Sequence, residues 1–440
     1  MELGGIFIML TYQDFLIEST NLDSLKKFIE NAISDYTSSK NYIIAKDAEN
    51  YARQQNTTIL KYQKMLYTLS GAAVPDTYSA NHKLCSNFFD IFTTQQTQFL
   101  LGNGVYFKNT ETKDKLGGSE FDNMIQRAAK NSLIGGVSYG FFNYDHIEVF
   151  KATEFVPLYN EENGNLMAGI RFWQVSSTKP LRATLFELDG KTEFIKKIGE
   201  EMQILEEKTP YILLKAESEA DGITIYDGKN YPYFPIVPLF ANEYHQSELV
   251  GIKGEIDAYD FIRSNLINQV DDASIIYWTL ENSGGMDDID LCKFIERIHT
   301  VHATTLDDDA KATANTIDLP TDASETALDR LEADLYKDYM ALDVRKISAG
   351  NQTATAIKAA YEPLNQKADD FEYQVTSFIH GILKLADIQD EPTYKRNQII
   401  NEKEQTDMVL SASEYLDRET ILKHLPFLTV DEVENLLKKQ

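Results

Sequence analysis

Residues 247–272 read SELVGIKGEIDAYDFIRSNLINQVDD, and residues 323–343 read ASETALDRLEADLYKDYMALD. In the first stretch Leu249, Ile252, Ile256, Tyr259, Ile262, Leu266 and Val270 fall three or four residues apart, the spacing of one face of an α-helix. A helix of that length is on the order of 39 Å long at ~1.5 Å per residue. Gly251 and Gly254 each weaken it by about 1 kcal/mol relative to alanine, but their small size lets a neighbour approach closely. In the second stretch Leu328, Leu331, Leu335 and Tyr339 form the stripe, and Asp322 with Glu325 has the spacing of a capping box. A compact insertion separates the two helices. It reads as a strand over 275–280, a turn at Asn282-Ser283-Gly284-Gly285 and a short helix near 287–297. A second strand-like run over 299–305 and the acidic loop Asp307-Asp308-Asp309 complete it. Two long helices bracketing a small α/β insertion give an α+β chain, mainly helical.

Working outward, residues 10–70 read as helices. Leu22, Leu25, Phe28, Ile29 and Ala32 make one apolar face, with Asn21 or Asp23 as its cap. A candidate helix around 46–54 is polar and reads as exposed. Leu84, Phe88, Ile91, Phe92, Phe99 and Leu100 predict a long helix over 81–101 that ends at Gly102, and another helix covers 119–134. From Val137 to about 240 the pattern alternates, with turn signals at Glu162-Asn163-Gly164, Asp189-Gly190 and Asp227-Gly228. That predicts antiparallel hairpins, closed by Pro232, Pro235 and Pro238, which donate no ladder hydrogen bond. Beyond the second long helix, 347–353 is a small, polar loop. Helix follows over 354–361, interrupted or bent near Pro363, and again over 366–387. A β segment is expected at 394–400 and helix over 406–439, broken at Pro426 with Thr429 as the next cap.

The chain has 440 residues, enough for two or three domains, and its 43% hydrophobic content argues against wholesale disorder. Its 69 acidic and 42 basic residues leave a net charge of −27. Such a surface repels phosphate, which argues against tight DNA wrapping; it equally serves simple solubility. Cys85 and Cys292 form no CxxC or disulfide framework, as in a reducing compartment. The apolar run 6–10 is too short for a membrane span or signal core, so no membrane is expected, and Met9 is a second candidate start. No phosphate-cradling GxxxxGK[ST] or GxGxxG occurs. His299 and His302 precede Asp307–Asp309, yet no third His or Cys completes a metal set. Ser138 is one residue out of register for a nucleophile elbow. The basic doublets Lys196-Lys197 and Lys395-Arg396 are isolated, which argues against sequence-specific DNA binding. The expectation is a protein without cofactor, metal or enzymatic activity.

Several stretches recur in a known order: FLLGNGV (99–105), GGVSYG (135–140), EFVPLY (154–159) and YFPIVPL (233–239). Glu248, IDAYD (256–260) and Ser264 follow, then ETILKHLP (419–426) with DEVE (431–434). In their conjunction the chain resembles the SPP1-type portal proteins of siphophages and related prophages. The resemblance implies a homo-oligomeric ring, usually a dodecamer, at one capsid vertex of the virion, assembled in the host cytoplasm. It implies a wing (1–246), a first stem helix (247–273), a clip (274–321) and a second stem helix (322–345). A tunnel loop (346–354), a wing return helix (355–385) and a crown (386–440) follow. Leu249, Ile252, Ile256, Tyr259, Leu266, Leu328, Leu331 and Leu335 would pack the stem. Asp287, Asp288, His299, His302, Asp307, Asp308 and Asp309 would lie on the clip, facing the large terminase subunit and later the head-tail adaptor. Arg345, Lys346, Ser348, Ala349, Gly350, Asn351, Gln352 and Thr353 would line the DNA path, with Arg345 and Lys346 either touching phosphate or complementing a helix C-terminus. Major capsid and scaffold proteins would be further partners, and double-stranded viral DNA would pass through without specific binding. Another phage structural, scaffold or minor head protein is the alternative, and an enzyme such as a hydrolase a more distant one.

Overall fold

Side-chain caps start each of the first four helices. In this computed structural model residues 10–68, 70–77, 79–218, 224–273, 277–281, 287–301, 311–315, 321–345, 354–397, 402–425, 433 and 436–437 are described. Thr11 and Asp14 form a full capping box on α1 (Tyr12–Glu18). Asn21 caps α2 (Leu22–Ser38), Ser39 caps α3 (Lys40–Ala52) and Asn56 caps α4 (Thr57–Lys61). Helix α3 buries Ala45, Ala48 and Tyr51, so the segment expected to be exposed presents a small-residue face to the core. The helical expectation fails after Lys61, where β1 (Met65–Tyr67) pairs with β2 (Ala73–Pro75). Helix α5 (Phe88–Leu101) is shorter than the sequence suggests, for a reason that lies in the strap described below.

After β3 (Val105–Tyr106), α6 (Phe121–Gly135) ends at Gly136, whose φ of 87° is the left-handed cap that glycine adopts without strain. The β region follows as expected. It comprises β4 (Val137–Asn143), β5 (His146–Lys151), β6 (Phe155–Tyr159), β7 (Leu166–Trp173) and β8 (Leu181–Glu187). Then come β9 (Gly190–Lys196), β10 (Gln203–Thr209), β11 (Ile212–Ser218), β12 (Thr224–Lys229) and β13 (Ile236–Phe240). They form an antiparallel meander in the order β10-β9-β8-β7-β6, a sheet β13-β4-β5 and a ribbon β11-β12. Two turn readings are corrected. Asp227 and Gly228 lie inside β12, and Pro238 lies inside β13 opposite Tyr139; β13 is an edge strand, where a missing donor is tolerated.

Helix α7 (Leu249–Ala273) leads into β14 (Tyr277–Glu281), α8 (Asp288–Val301) and β15 (Lys311–Asn315), and α9 (Thr321–Asp338) returns. Helix α10 (Ala354–Leu385) runs unbroken through Pro363, against the expected interruption. A two-residue β16 (Thr393–Tyr394) pairs with β3, and α11 (Glu402–Ser411) and α12 (Arg418–His424) follow. In the insertion the second strand is β15, paired in register with β14. Residues 299–301 close α8 instead of starting a strand, and 302–305 lie outside the described residues. Thr321 opens α9, so Asp322 sits in its first turn and not at the cap.

The chain divides into two compact units. One holds Met1–Gln54, Asn87–Lys253 and Tyr336–Gln440; the other holds Gln55–Ser86 and Gly254–Leu335, and the divisions fall within α7 and α9. In the larger unit α2 covers the meander through Phe28, Ile29 and Ala32 against Leu158, Ile170 and Leu185. The β13-β4-β5 sheet packs on α10 through Phe378, Ile379 and Ile382. That approach requires Gly140, because a Cβ there would stand 2.5 Å from the Phe378 ring.

Candidate functional site

Helix α7 turns a partly polar face inward. From Ile252 onward its buried positions recur every four residues: Ile252, Ile256, Asp260, Ser264 and Asn268. Asp260 Oδ1 accepts the Ser86 N–H at 2.8 Å, and its Oδ2 accepts from Asn56 Nδ2 at 2.8 Å. Ser264 Oγ accepts the Leu84 N–H at 3.0 Å, and Asn268 Oδ1 accepts the His82 N–H at 2.6 Å. A turn further on, Asp271 Oδ2 lies 3.1 Å from His82 Nε2. Two repeats match here. Four helical residues rise about 6.0 Å and two extended residues about 6.6 Å, so every fourth side chain of the helix meets every second amide of 82–86. The segment is thereby held as an extended strap. The N–H groups of His82, Leu84 and Ser86 are taken by α7 side chains, which explains why the helix expected from residue 81 begins only at Phe88. Asn56 ties the same Asp260 to the start of α4, since its Oδ1 also accepts the N–H groups of Thr58 and Ile59.

Of the expected stem-packing residues, Leu249, Ile252, Ile256 and Leu335 are buried, whereas Tyr259, Leu266, Leu328 and Leu331 are half-buried. Val270, the last member of the stripe, is 48% exposed. The polar positions Asp260, Ser264 and Asn268 displace the apolar stripe from the buried face over the second half of the helix.

The roots of α7 and α9 meet in one knot within the larger unit. Gly136 approaches the chain just before α7 so closely that a Cβ would lie 2.9 Å from the His245 carbonyl oxygen, and Glu248 N–H donates to Leu133 O at 3.0 Å. The Glu248 carboxylate receives Asn242 Nδ2 at 2.9 Å and Lys367 Nζ of α10 at 2.7 Å. Both ion-pair partners are shielded, at 16% and 13% side-chain exposure. Lys367 Nζ also stands 3.7 Å from the centroid of the Tyr339 ring, a cation–π contact. Tyr339 stacks on Phe92 and donates its hydroxyl to Gln96 Oε1 at 2.9 Å; burial pushes its phenol well above the usual range. Just beyond α9 the Leu342 N–H donates to Gln95 Oε1 at 2.8 Å. Arg345 is drawn to Asp343, with Nε 3.2 Å and Nη2 3.5 Å from its carboxylate oxygens.

In the insertion Phe294 of α8 is buried edge-on to Trp278 of β14. Asp287 accepts the Asp290 N–H at 2.9 Å, the contact of a helix cap, and Asp288 opens α8. His299 belongs to the last turn of that helix. His302, Asp307, Asp308 and Asp309 lie outside the described residues, as do Lys346, Ser348, Ala349, Gly350, Asn351, Gln352 and Thr353. Among the described residues no group of three His, Cys, Asp or Glu side chains could hold a metal, and no helix is long and apolar enough to cross a membrane.

The segment after α10 is stitched back to the larger unit. Asp390 accepts the N–H groups of Lys108 and Asn109 at 3.1 Å and the Thr112 hydroxyl at 2.7 Å. The Thr112 bond first, then the backbone N–H groups, hold its carboxyl down to about 2. A carboxyl held below its unfolded value of roughly 3.9 stabilises the fold above that pH and loses the contribution as pH falls toward the folded value. Between roughly pH 4 and pH 2 the Lys108 and Asn109 amides should therefore lose protection from hydrogen exchange. Thr112→Val should move that loss to higher pH; an unchanged profile would contradict the cradle.

A family model described as "Phage portal protein, SPP1 Gp6-like" matches residues 23–440. That span takes in both long helices, the insertion, the strap and the knot. The chain belongs to this SPP1 Gp6-like portal protein family. Within the family it is 29% identical over 231 residues to the portal protein of Clostridium phage phiCD119, covering 50% of each chain. It is 24% identical over 338 residues to the portal protein of Bacillus phage SPP1, covering 72% of this chain and 64% of that one. The matched stretch thus spans about half to under two thirds of these relatives' lengths. The fold is also similar to a chain in the neck of an empty GTA particle, with 9% identity and a TM-score of 0.46, covering 80% of this chain and 90% of that one.

Proposed function

We propose that this chain is the subunit of a portal ring, a homo-oligomer at one capsid vertex through which double-stranded DNA enters during packaging and leaves on ejection. The observation that carries the proposal is the family match over 23–440, which covers both helices that bracket the insertion. In this reading α7 and α9 form the stem, the insertion over 274–321 is the clip, and 346–354 is the tunnel loop beside DNA. The wing comprises 1–246 and 355–385, and the crown 386–440. The role is passive: a separate ATPase, the large terminase subunit, docks on the clip and drives the DNA, and a head-tail adaptor later takes its place. Capsid and scaffold proteins contact the outside of the ring. Two features of the sequence support the DNA path in this reading. The net charge of −27 disfavours adhesion of a polyanion, and the small polar run Ser348–Thr353 presents little to grip a sliding duplex. Arg345 reaches phosphate only by leaving Asp343.

Deleting residues 348–353 tests the loop. Rings of normal size should still form, while packaged DNA per particle should fall at least tenfold in a packaging assay. Failure to form rings would move the loop from the channel to the subunit interface, and normal packaging would remove it from the DNA path.

A further inference from the structure

We propose that a cavity between β13, the β6–β7 turn and the end of α10 binds a small amphiphile, a hydrocarbon chain that ends in a single carboxylate. The cavity measures about 610 Å³, within the ~300–1,000 Å³ of sites that enclose small ligands. It lies wholly inside the larger unit. Its floor is set where α10 meets β13, so tightly that a Cβ on Gly381 would stand 2.6 Å from Val237 Cγ1.

Three observations give the ligand its chemistry. First, the wall is mostly carbon, from Leu166, Met167, Ile236, Val237 and Phe240, so the part that enters is apolar. Second, the charge at the cavity runs against the rest of the chain. Acidic residues outnumber basic ones by 69 to 42, yet no Asp or Glu stands among the described residues that line it. Lys384 stands there instead, 3.9 Å from the centroid of the Tyr233 ring, and no carboxylate pairs with it among the described residues. Burial lowers the His245 imidazole below its usual range, so at neutral pH Lys384 is the cation of the described wall. One ammonium, a point charge with three donors, matches one carboxylate better than a doubly charged phosphate. Third, the wall suits a hydrocarbon and not a peptide. A peptide brings an N–H and a C=O with every residue, and each needs a partner once out of water. Pro232 lines the cavity and Pro238 lies in the middle of β13, and neither has an N–H to offer. A hydrocarbon chain makes no such demand. This inference is independent of ring formation.

The test is isothermal titration calorimetry of the full chain with hexanoate, octanoate and decanoate, each below its micelle concentration. One site per chain is expected, with binding tightening roughly fourfold for each added CH₂. Lys384→Met should weaken octanoate about tenfold or more, the loss of a hydrogen bond to a charged group, and leave octanol unchanged. Octylammonium should bind the natural chain more weakly than octanoate. Met167→Trp, which fills the cavity, should abolish binding of both octanoate and octanol; if that variant fails to fold, the Lys384→Met comparison decides alone. Absence of saturable binding would overturn the proposal, as would equal loss of octanoate and octanol in Lys384→Met or no loss of octanoate. Binding of an apolar peptide with a free C-terminal carboxylate, without binding of decanoate, would give the cavity to a protein partner and likewise overturn it.

Discussion

Lys367→Met should lower the stability of the larger unit by about 3–5 kcal/mol, the range for stripping one partner from a shielded ion pair. The ammonium of Lys367 lies 2.7 Å from Glu248 Oε2, with both side chains largely withdrawn from water. Removing it leaves the carboxylate with the Asn242 amide as its remaining side-chain donor among the described contacts, and takes the cation from the face of Tyr339. Methionine keeps most of the volume, so the loss reports charge more than packing. Pairing the change with Glu248→Gln should recover a substantial part, because no bare charge is then left behind. Urea denaturation of the two single variants and the double variant measures this as a coupling between the sites. A loss under about 1 kcal/mol for the single change would mean the pair behaves as an exposed one. The knot would then not secure the roots of α7 and α9.

Asp260→Ala should weaken the smaller unit by about 2–4 kcal/mol, since two donors lose their acceptor at roughly 1–3 kcal/mol each. The readout is local as well as global. Amide exchange at Ser86 should rise sharply, with Leu84 and His82 following as the strap peels from α7. Burial is the largest influence on Asp260 and pushes its carboxyl up, against the hydrogen bonds from Asn56 and Ser86 that hold it down. The folded state thus holds the proton more tightly than the unfolded chain. The resulting stabilisation is complete below the unfolded value near 3.9 and is lost as pH rises through the folded value. Compared with Asp260→Asn, which cannot titrate, the natural protein should gain relative stability as pH falls from neutrality toward about 4. A difference that is flat with pH, or of opposite slope, would contradict the burial of this carboxylate.

The helix pair was legible because its stripe is built largely from leucine and isoleucine at helical spacing; of the insertion, the first strand and the helix were legible, but the second strand is β15 over Lys311–Asn315 and not the run expected over 299–305. The strap was not legible. Asp260, Ser264 and Asn268 look in sequence like a solvated face, and Leu84, Phe88, Ile91 and Phe92 have the spacing of one continuous helix. Nothing local reveals that the amides of 82–86 are claimed by a partner far along the chain. Tertiary demand overrode propensity in the same way at Pro238, which an edge strand accommodates, and at Pro363, which α10 accommodates. The knot was half legible. Glu248 stood out as part of the family pattern, but Lys367 and Tyr339 carry no mark that would unite them with it. Of the loop expected to line the DNA path, only Arg345 and the start of α10 flank it among the described residues.

Electron microscopy of the purified full-length protein tests the central claim most directly. The account predicts closed annuli with a central hole wide enough for duplex DNA, built from subunits whose α7 and α9 wall the passage. A population of monomers or open fibres at the same concentration would contradict it.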